Sequence, residues 1–178
     1  MKIKKLLFAS ALLFSAYNAS AQTQVIAHRG FWKTEGSAQN SIAALLKADS
    51  IGCSGSAFDV WLAADDQLVV THDPTFKGKR MENSPSTALT AIKLDNGESL
   101  PTLAKYLKAA QPLHTRLILE LKAHSTPLRE TKAIEKIVAL VKDMGLEERM
   151  EYITFSLHAT KEFIRLAPEG TPVYYLDG

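Results

Sequence analysis

Arg116-Leu117-Ile118-Leu119-Glu120-Leu121-Lys122 reads as a strand buried on both faces. Three apolar residues follow one another without a polar break, as they do in a parallel sheet covered by helices. Glu120 and Lys122 lie two residues apart and therefore face the same side. Before this strand, Pro101-Thr102 opens a helix with Leu103, Tyr106 and Leu107 on one face. After it, Arg129 to Met144 is an amphipathic helix, with Ile134, Ile137, Val138 and Val141 spaced i, i+3, i+4, i+7. Gly145 stops it. Tyr152 to Leu157 is the next strand, Thr160 to Leu166 the next helix and Pro172 to Leu176 a further strand.

Toward the N-terminus, Val25-Ile26-Ala27 is a short apolar strand that ends at His28-Arg29-Gly30. Ser41 to Ile51 has helical periodicity, with Gly52 as its stop. Ser56 to Leu62 and Gln67 to Thr71 are strand-like, separated by the turn Ala64-Asp65-Asp66. From Asp73 to Ser99 the pattern gives way to polar sequence with Pro and Gly, a long loop or small insertion at about 74–100. Loops of that length in a compact domain are usually functional. Strand–helix alternation implies a parallel sheet with helices outside it. A closed (β/α) barrel and an open doubly wound sheet both satisfy the pattern. The second would often carry a Gly-rich phosphate turn, which the sequence lacks. His28, Asp59, His72 and Glu120 all fall at the C-terminal ends of strands, where barrels place their chemistry. The expected fold is α/β, a TIM-like (β/α) barrel.

The 178 residues are 46% apolar and 22% charged, an ordinary globular mix. Lys2, Lys4 and Lys5, the apolar run from Leu6 to Phe14 and the small residues of Ala19-Ser20-Ala21 match a secretory signal peptide, residues 1–21, cleaved after Ala21. The apolar run is shorter than the ~20 residues that span a bilayer, so no stable membrane anchor is expected. The mature chain, 22–178, would be periplasmic or secreted. Cleavage removes three lysines and no acid, which takes the formal charge from +2 to −1. A near-neutral chain has no electrostatic footprint for nucleic acid. Cys53 is the only cysteine, which rules out an intrachain disulfide. Without an activating neighbour it reads as a small packed residue.

The chemistry-bearing residues gather at strand ends. His28 and His72 can divide acid and base roles, because imidazole titrates near neutral pH. Arg29 and Lys122 offer donors to a phosphate. Asp59 and Glu120 supply hard oxygen ligands suited to Ca²⁺ or Mg²⁺. Together they describe metal-assisted phosphoryl-group chemistry. Each residue alone also has a plainer reading: a hydrogen-bonded structural histidine, a turn-capping Asp59, a Glu120–Lys122 ion pair. Asp73 before Pro74 reads as a turn cap.

Five separated motifs then agree in order. Val25-Ile26-Ala27-His28-Arg29-Gly30, with Gln39-Asn40-Ser41 after it, Phe58-Asp59-Val60, Val70-Thr71-His72-Asp73, Leu100-Pro101-Thr102-Leu103 and Leu119-Glu120-Leu121-Lys122 resemble the glycerophosphodiester phosphodiesterase family across the mature chain. The resemblance implies that His28 and His72 are the general acid/base pair and that Arg29 binds phosphate. It implies that Asp59 and Glu120 hold Ca²⁺ or Mg²⁺, and that Lys122 contacts phosphate or orients the carboxylates. The implied reaction converts a small glycerophosphodiester to glycerol 3-phosphate and an alcohol. Phosphorus would be attacked in line by the substrate's own hydroxyl, and the insertion over the barrel mouth would select the substrate.

The chain departs from the family pattern in two main ways. Ala57 stands where the family has a metal-binding Glu, so weakened cation affinity and reduced turnover are expected. The chain also reaches Gly178 straight after the fifth strand, whereas an eight-stranded barrel takes ~250 residues. A barrel truncated there would expose unpaired strand edges and invite self-association. Gln39 and Ser41 replace the family's usual Glu and Thr, with no consequence legible in the sequence. A non-catalytic phosphodiester-binding protein derived from the enzyme is the alternative. Ala57 favours it; the retained His28 and His72 favour the enzyme.

Overall fold

The computed structural model describes residues 23–177. The proposed signal peptide lies outside the described residues. Five strands run parallel in the order β1 (Ile26–Ala27), β2 (Gly55–Leu62), β6 (Arg116–Leu121), β7 (Met150–Thr154) and β8 (Val173–Tyr175). Neighbours in space are neighbours in chain order, with no reversal. That is the winding of a barrel and not of a doubly wound sheet, whose order reverses at a switch point. Among the described residues β1 and β8 are each paired on one side only. One further strand, β3 (Leu68–Val70), turns back antiparallel on β2, with Val70 opposite Val60.

Alternation along the strands separates core from site. Phe58, Val60 and Leu62 of β2 and Leu117, Leu119 and Leu121 of β6 are buried in one cluster with the helices. These are α1 (Ile42–Ser50), α3 (Leu103–Ala110), α4 (Pro127–Asp143) and α5 (Leu157–Leu166). Leu45, Leu103, Tyr106, Leu107 and Phe163 are among these helices' largest fully buried side chains, each aliphatic one worth roughly 1.5–3 kcal/mol on burial. The intervening residues Ala57, Asp59 and Glu120 face a cleft instead. Helix starts lie one or more residues from those the periodicity suggests, because capping decides them. Ser41, Thr102, Thr126 and Ser156 each accept an N–H of the first turn. The Ser156 cap starts α5 at Leu157, three residues earlier than Thr160, and ends β7 at Thr154.

The stretch from 74 to 100 is a built unit, not a loose loop. It contains the hairpin β4 (Thr75–Phe76) and β5 (Lys79–Arg80), a 3₁₀ turn at Met81–Asn83 and the short helix α2 (Ser86–Thr90). Met81, Leu89, Ile92, Leu94 and Leu100 form a second core with Trp61 and Val69. Three carboxylates fasten this unit to the sheet scaffold. Asp65, in the β2–β3 turn, accepts the Ser86 N–H (3.0 Å) and hydroxyl (2.8 Å). Glu82 accepts from Arg129 Nε (2.9 Å) and from the Ser125 N–H and hydroxyl. Glu98 accepts the Ile42 and Ala43 N–H groups (3.0 and 3.1 Å), which α1 would otherwise leave unpaired. Burial would raise the Glu82 carboxyl, but the hydrogen bonds from Ser125 and Arg129 outweigh it and hold it below the usual range. None of this was visible as periodicity, because the elements are two to five residues long.

Candidate functional site

Four strands deliver the six site residues: β1, β2, β3 and β6. β1 ends at Ala27, level with Ser56, so His28 and Arg29 emerge beside Ala57. Asp59 sits in register with Glu120 on the neighbouring strand. The antiparallel return of β3 brings the Thr71 N–H to the Asp59 carbonyl (2.9 Å), which carries His72 back to the same level. His28, Arg29, Asp59, His72, Glu120 and Lys122 consequently line one cleft of about 410 Å³, with Ala57 in its wall. Every residue singled out from the sequence for chemistry is in it.

The charges are interleaved. Lys122 Nζ donates to Glu120 Oε1 at 2.6 Å and lies 3.5 Å from Asp59 Oδ1. Arg29 Nε lies 3.9 Å from Asp59 Oδ2. Asp59 and Glu120 are only 2% and 8% exposed, so these contacts compensate carboxylates that would otherwise be costly to bury. Arg29 has φ 62°, a left-handed conformation that costs a non-glycine residue roughly 1–3 kcal/mol. The next residue, Gly30, is also left-handed and lies against α1. A Cβ there would stand 2.6 Å from Ala44 Cβ, so no larger residue fits. The tight turn aims the Arg29 guanidinium inward, where Nη1 donates to Gln39 Oε1 at 2.5 Å. Gln39 thus holds the arginine side chain, and Ser41 caps α1: two consequences that the sequence left unread.

Three further residues were missed or misread. Asp73, expected to cap a turn, has its carboxylate 2.8 Å from His72 Nδ1. An ionised carboxylate only accepts, so Nδ1 carries the proton and Nε2 is left to exchange one. Asn40 is 2% exposed and hydrogen-bonded to Asp59. Its only sequence signal was its place between Gln39 and Ser41. His124 follows Glu120 and Lys122 at two-residue spacing. Its Nε2 accepts the Leu62 N–H (2.9 Å), so Nδ1 donates to the Lys122 carbonyl (2.7 Å).

This arrangement requires a neutral His124 ring, and burial pushes its pKa down despite the nearby Glu82. The folded value lies below the unfolded value near 6.5. The stability it contributes is therefore complete above about pH 6.5 and is lost as pH falls through the folded value. The melting temperature should drop as the pH falls below about 6.5, and His124→Gln should flatten that slope. An equal slope in the variant would show that other groups set it.

For a divalent cation the donor set is partial. Among the described residues no three His, Cys, Asp or Glu side chains cluster as metal ligands. Two carboxylates nevertheless stand in register, and Asp59 Oδ1 is buried without a hydrogen-bond partner. Together with Glu120, that oxygen, facing only the Lys122 charge at 3.5 Å, fits a hard cation that keeps most of its waters, as Mg²⁺ does. At position 57 a methyl group supplies no third donor. A second cleft of about 250 Å³ shares the His72 wall and is closed by Trp32 and by Phe76 and Leu94 of the 74–100 unit.

No protein-family model matches the chain. Comparison with solved structures finds a glycerophosphodiester phosphodiesterase from Parabacteroides distasonis at 52% identity and TM-score 0.84, covering 87% of this chain and 65% of that one. A phosphodiesterase from Oleispira antarctica, in complex with the product sn-glycerol-3-phosphate, matches at 25% identity and TM-score 0.71, covering 86% and 64%. Among curated proteins, a glycerophosphodiester phosphodiesterase from Caldanaerobacter subterraneus is 29% identical over 161 residues, 83% of this chain and 64% of that protein. The chain spans about 64–65% of the length of these relatives. Sequence and fold together indicate the glycerophosphodiester phosphodiesterase family.

Proposed function

We propose that the protein hydrolyses glycerophosphodiesters to glycerol 3-phosphate and an alcohol, with turnover reduced by Ala57. The observation that carries this reading is the single cleft that gathers His28, Arg29, Asp59, His72, Glu120 and Lys122. Arg29 and Lys122 bind the phosphate oxygens through charge-assisted hydrogen bonds. Nε2 of His72, the nitrogen left free by Asp73, takes the proton of the substrate's 2-hydroxyl as that oxygen attacks phosphorus. The bond to the leaving oxygen breaks on the opposite side, and His28 delivers a proton to it. This gives the free alcohol and a cyclic phosphodiester, and water then opens the ring to glycerol 3-phosphate with the two histidines in exchanged roles. Asp59 and Glu120 would hold Mg²⁺ or Ca²⁺, which supplies charge stabilisation to the phosphoryl oxygens. The cleft between Trp32 and Phe76 offers room for the departing alcohol.

The non-catalytic alternative, a phosphodiester-binding protein, is favoured by one observation, the missing donor at position 57. Release of glycerol 3-phosphate from glycerophosphocholine with added Mg²⁺ or Ca²⁺ separates the two. Cation-dependent release is expected. No release from folded protein that still binds the diester would replace the enzyme reading with the binding one. Export to the periplasm or medium through residues 1–21 is part of the same proposal, and the mass of the secreted chain would test it.

A further inference from the structure

The side chain of Asn40 closes a two-point ring on Asp59. Its Nδ2 donates to Asp59 Oδ2 at 2.8 Å, and its Oδ1 accepts the Asp59 backbone N–H at 3.1 Å. The amide orientation is fixed by chemistry, because a backbone N–H can only donate and a carboxylate can only accept. Asn40 is itself held: its own N–H donates to the Arg29 carbonyl (3.0 Å), and its φ of 58° is a left-handed conformation that asparagine tolerates better than most residues. With Oδ2 engaged, Asp59 presents Oδ1 toward Lys122 and Glu120, and that oxygen has no hydrogen-bond partner.

We propose that Asn40 is a positioning residue that fixes the Asp59 carboxylate rotamer so that Oδ1 points at the cation position shared with Glu120. The inference rests on the reading of Asp59 as a cation-binding carboxylate given above. A carboxylate on a flexible Cβ has a broad terminal torsion, and facing two cations it could pair with either through either oxygen. The amide clasp removes that freedom. It also couples the carboxylate to the Arg29 turn, since one residue grips both. A two-carboxylate site depends more on such support than a three-carboxylate one, because each donor carries a larger share of the binding.

The test is Mg²⁺ titration by calorimetry on the full chain and on its Asn40→Gly and Asp59→Asn variants, with circular dichroism on each sample. Glycine keeps the left-handed backbone without strain and removes only the clasp. Loss of an outer partner of this kind costs about 10–100-fold in metal affinity, so a weakening of that size is expected in Asn40→Gly and a larger one in Asp59→Asn. If Asn40→Gly does not fold, Asn40→Ser, whose hydroxyl cannot bridge both Asp59 groups, takes its place with the same expectation. Unchanged affinity in the Asn40 variant, alongside a loss in Asp59→Asn, would overturn the positioning role and leave the function reading intact. No difference between the parent chain and Asp59→Asn would overturn the cation reading and this inference together.

Discussion

Ala57→Glu is expected to tighten Mg²⁺ or Ca²⁺ binding by at least roughly tenfold, because ligand number and charge set the affinity of oxygen-ligand sites. Position 57 is two residues before Asp59 on β2 and shares its face, and Ala57 already forms part of the cleft wall. A carboxylate there would face the same space as Asp59 and Glu120. Without cation the variant would hold three acids against Arg29 and Lys122, so its melting temperature should fall. Saturating cation should reverse that fall, since a ligand at one hundred times its Kd stabilises by about 2.7 kcal/mol. Hydrolysis of glycerophosphocholine should rise with occupancy. Restored cation binding with no gain in hydrolysis would show that the defect lies elsewhere in the site. No change in cation affinity would remove position 57 from the site altogether.

What the sequence conveyed depended on the length of each signal. Parallel winding was legible because β6 and α4 are long enough for periodicity to show, and because apolar runs in buried strands end in polar residues. The six candidate residues were legible because each stands at a strand end and five motifs agreed. The scaffold of the 74–100 unit was not legible, because its order comes from Asp65, Glu82 and Glu98 reaching across 21 to 56 residues to backbone and side-chain donors. No local pattern encodes such pairings. Asn40 was hidden for the same reason, its partner lying 19 residues away. Asp73 was misread because Asp before Pro is a turn signal, and the competing demand of His72 is visible only in three dimensions. Ala57 was read as a departure from sequence, and the cleft gives that departure a place beside both carboxylates.

His72→Gln should lower kcat by about 10²–10⁴-fold, the usual contribution of a positioned acid or base, with little change in KM. The side chain is one-third exposed, so the substitution removes no core packing and stability should move by about 0.5 kcal/mol or less. Asp73→Asn should also lower kcat, because an amide in place of the carboxylate no longer fixes the Nδ1–H tautomer. That loss should vanish in a His72→Gln background, where there is no imidazole left to orient, so the two effects should be strongly non-additive. If the parent turns over too slowly to measure, the same comparison in the Ala57→Glu background reads the same coupling. Turnover, not diester affinity, separates the two readings, since Arg29 and Lys122 would hold the phosphate in either case and neither substitution touches them. A pure binding protein would show unaltered affinity in both variants and no rate to lose. Both histidines, with a carboxylate hydrogen-bonded to one of them, favour the proposed enzyme reading, because that pairing leaves Nε2 of His72 free to exchange a proton.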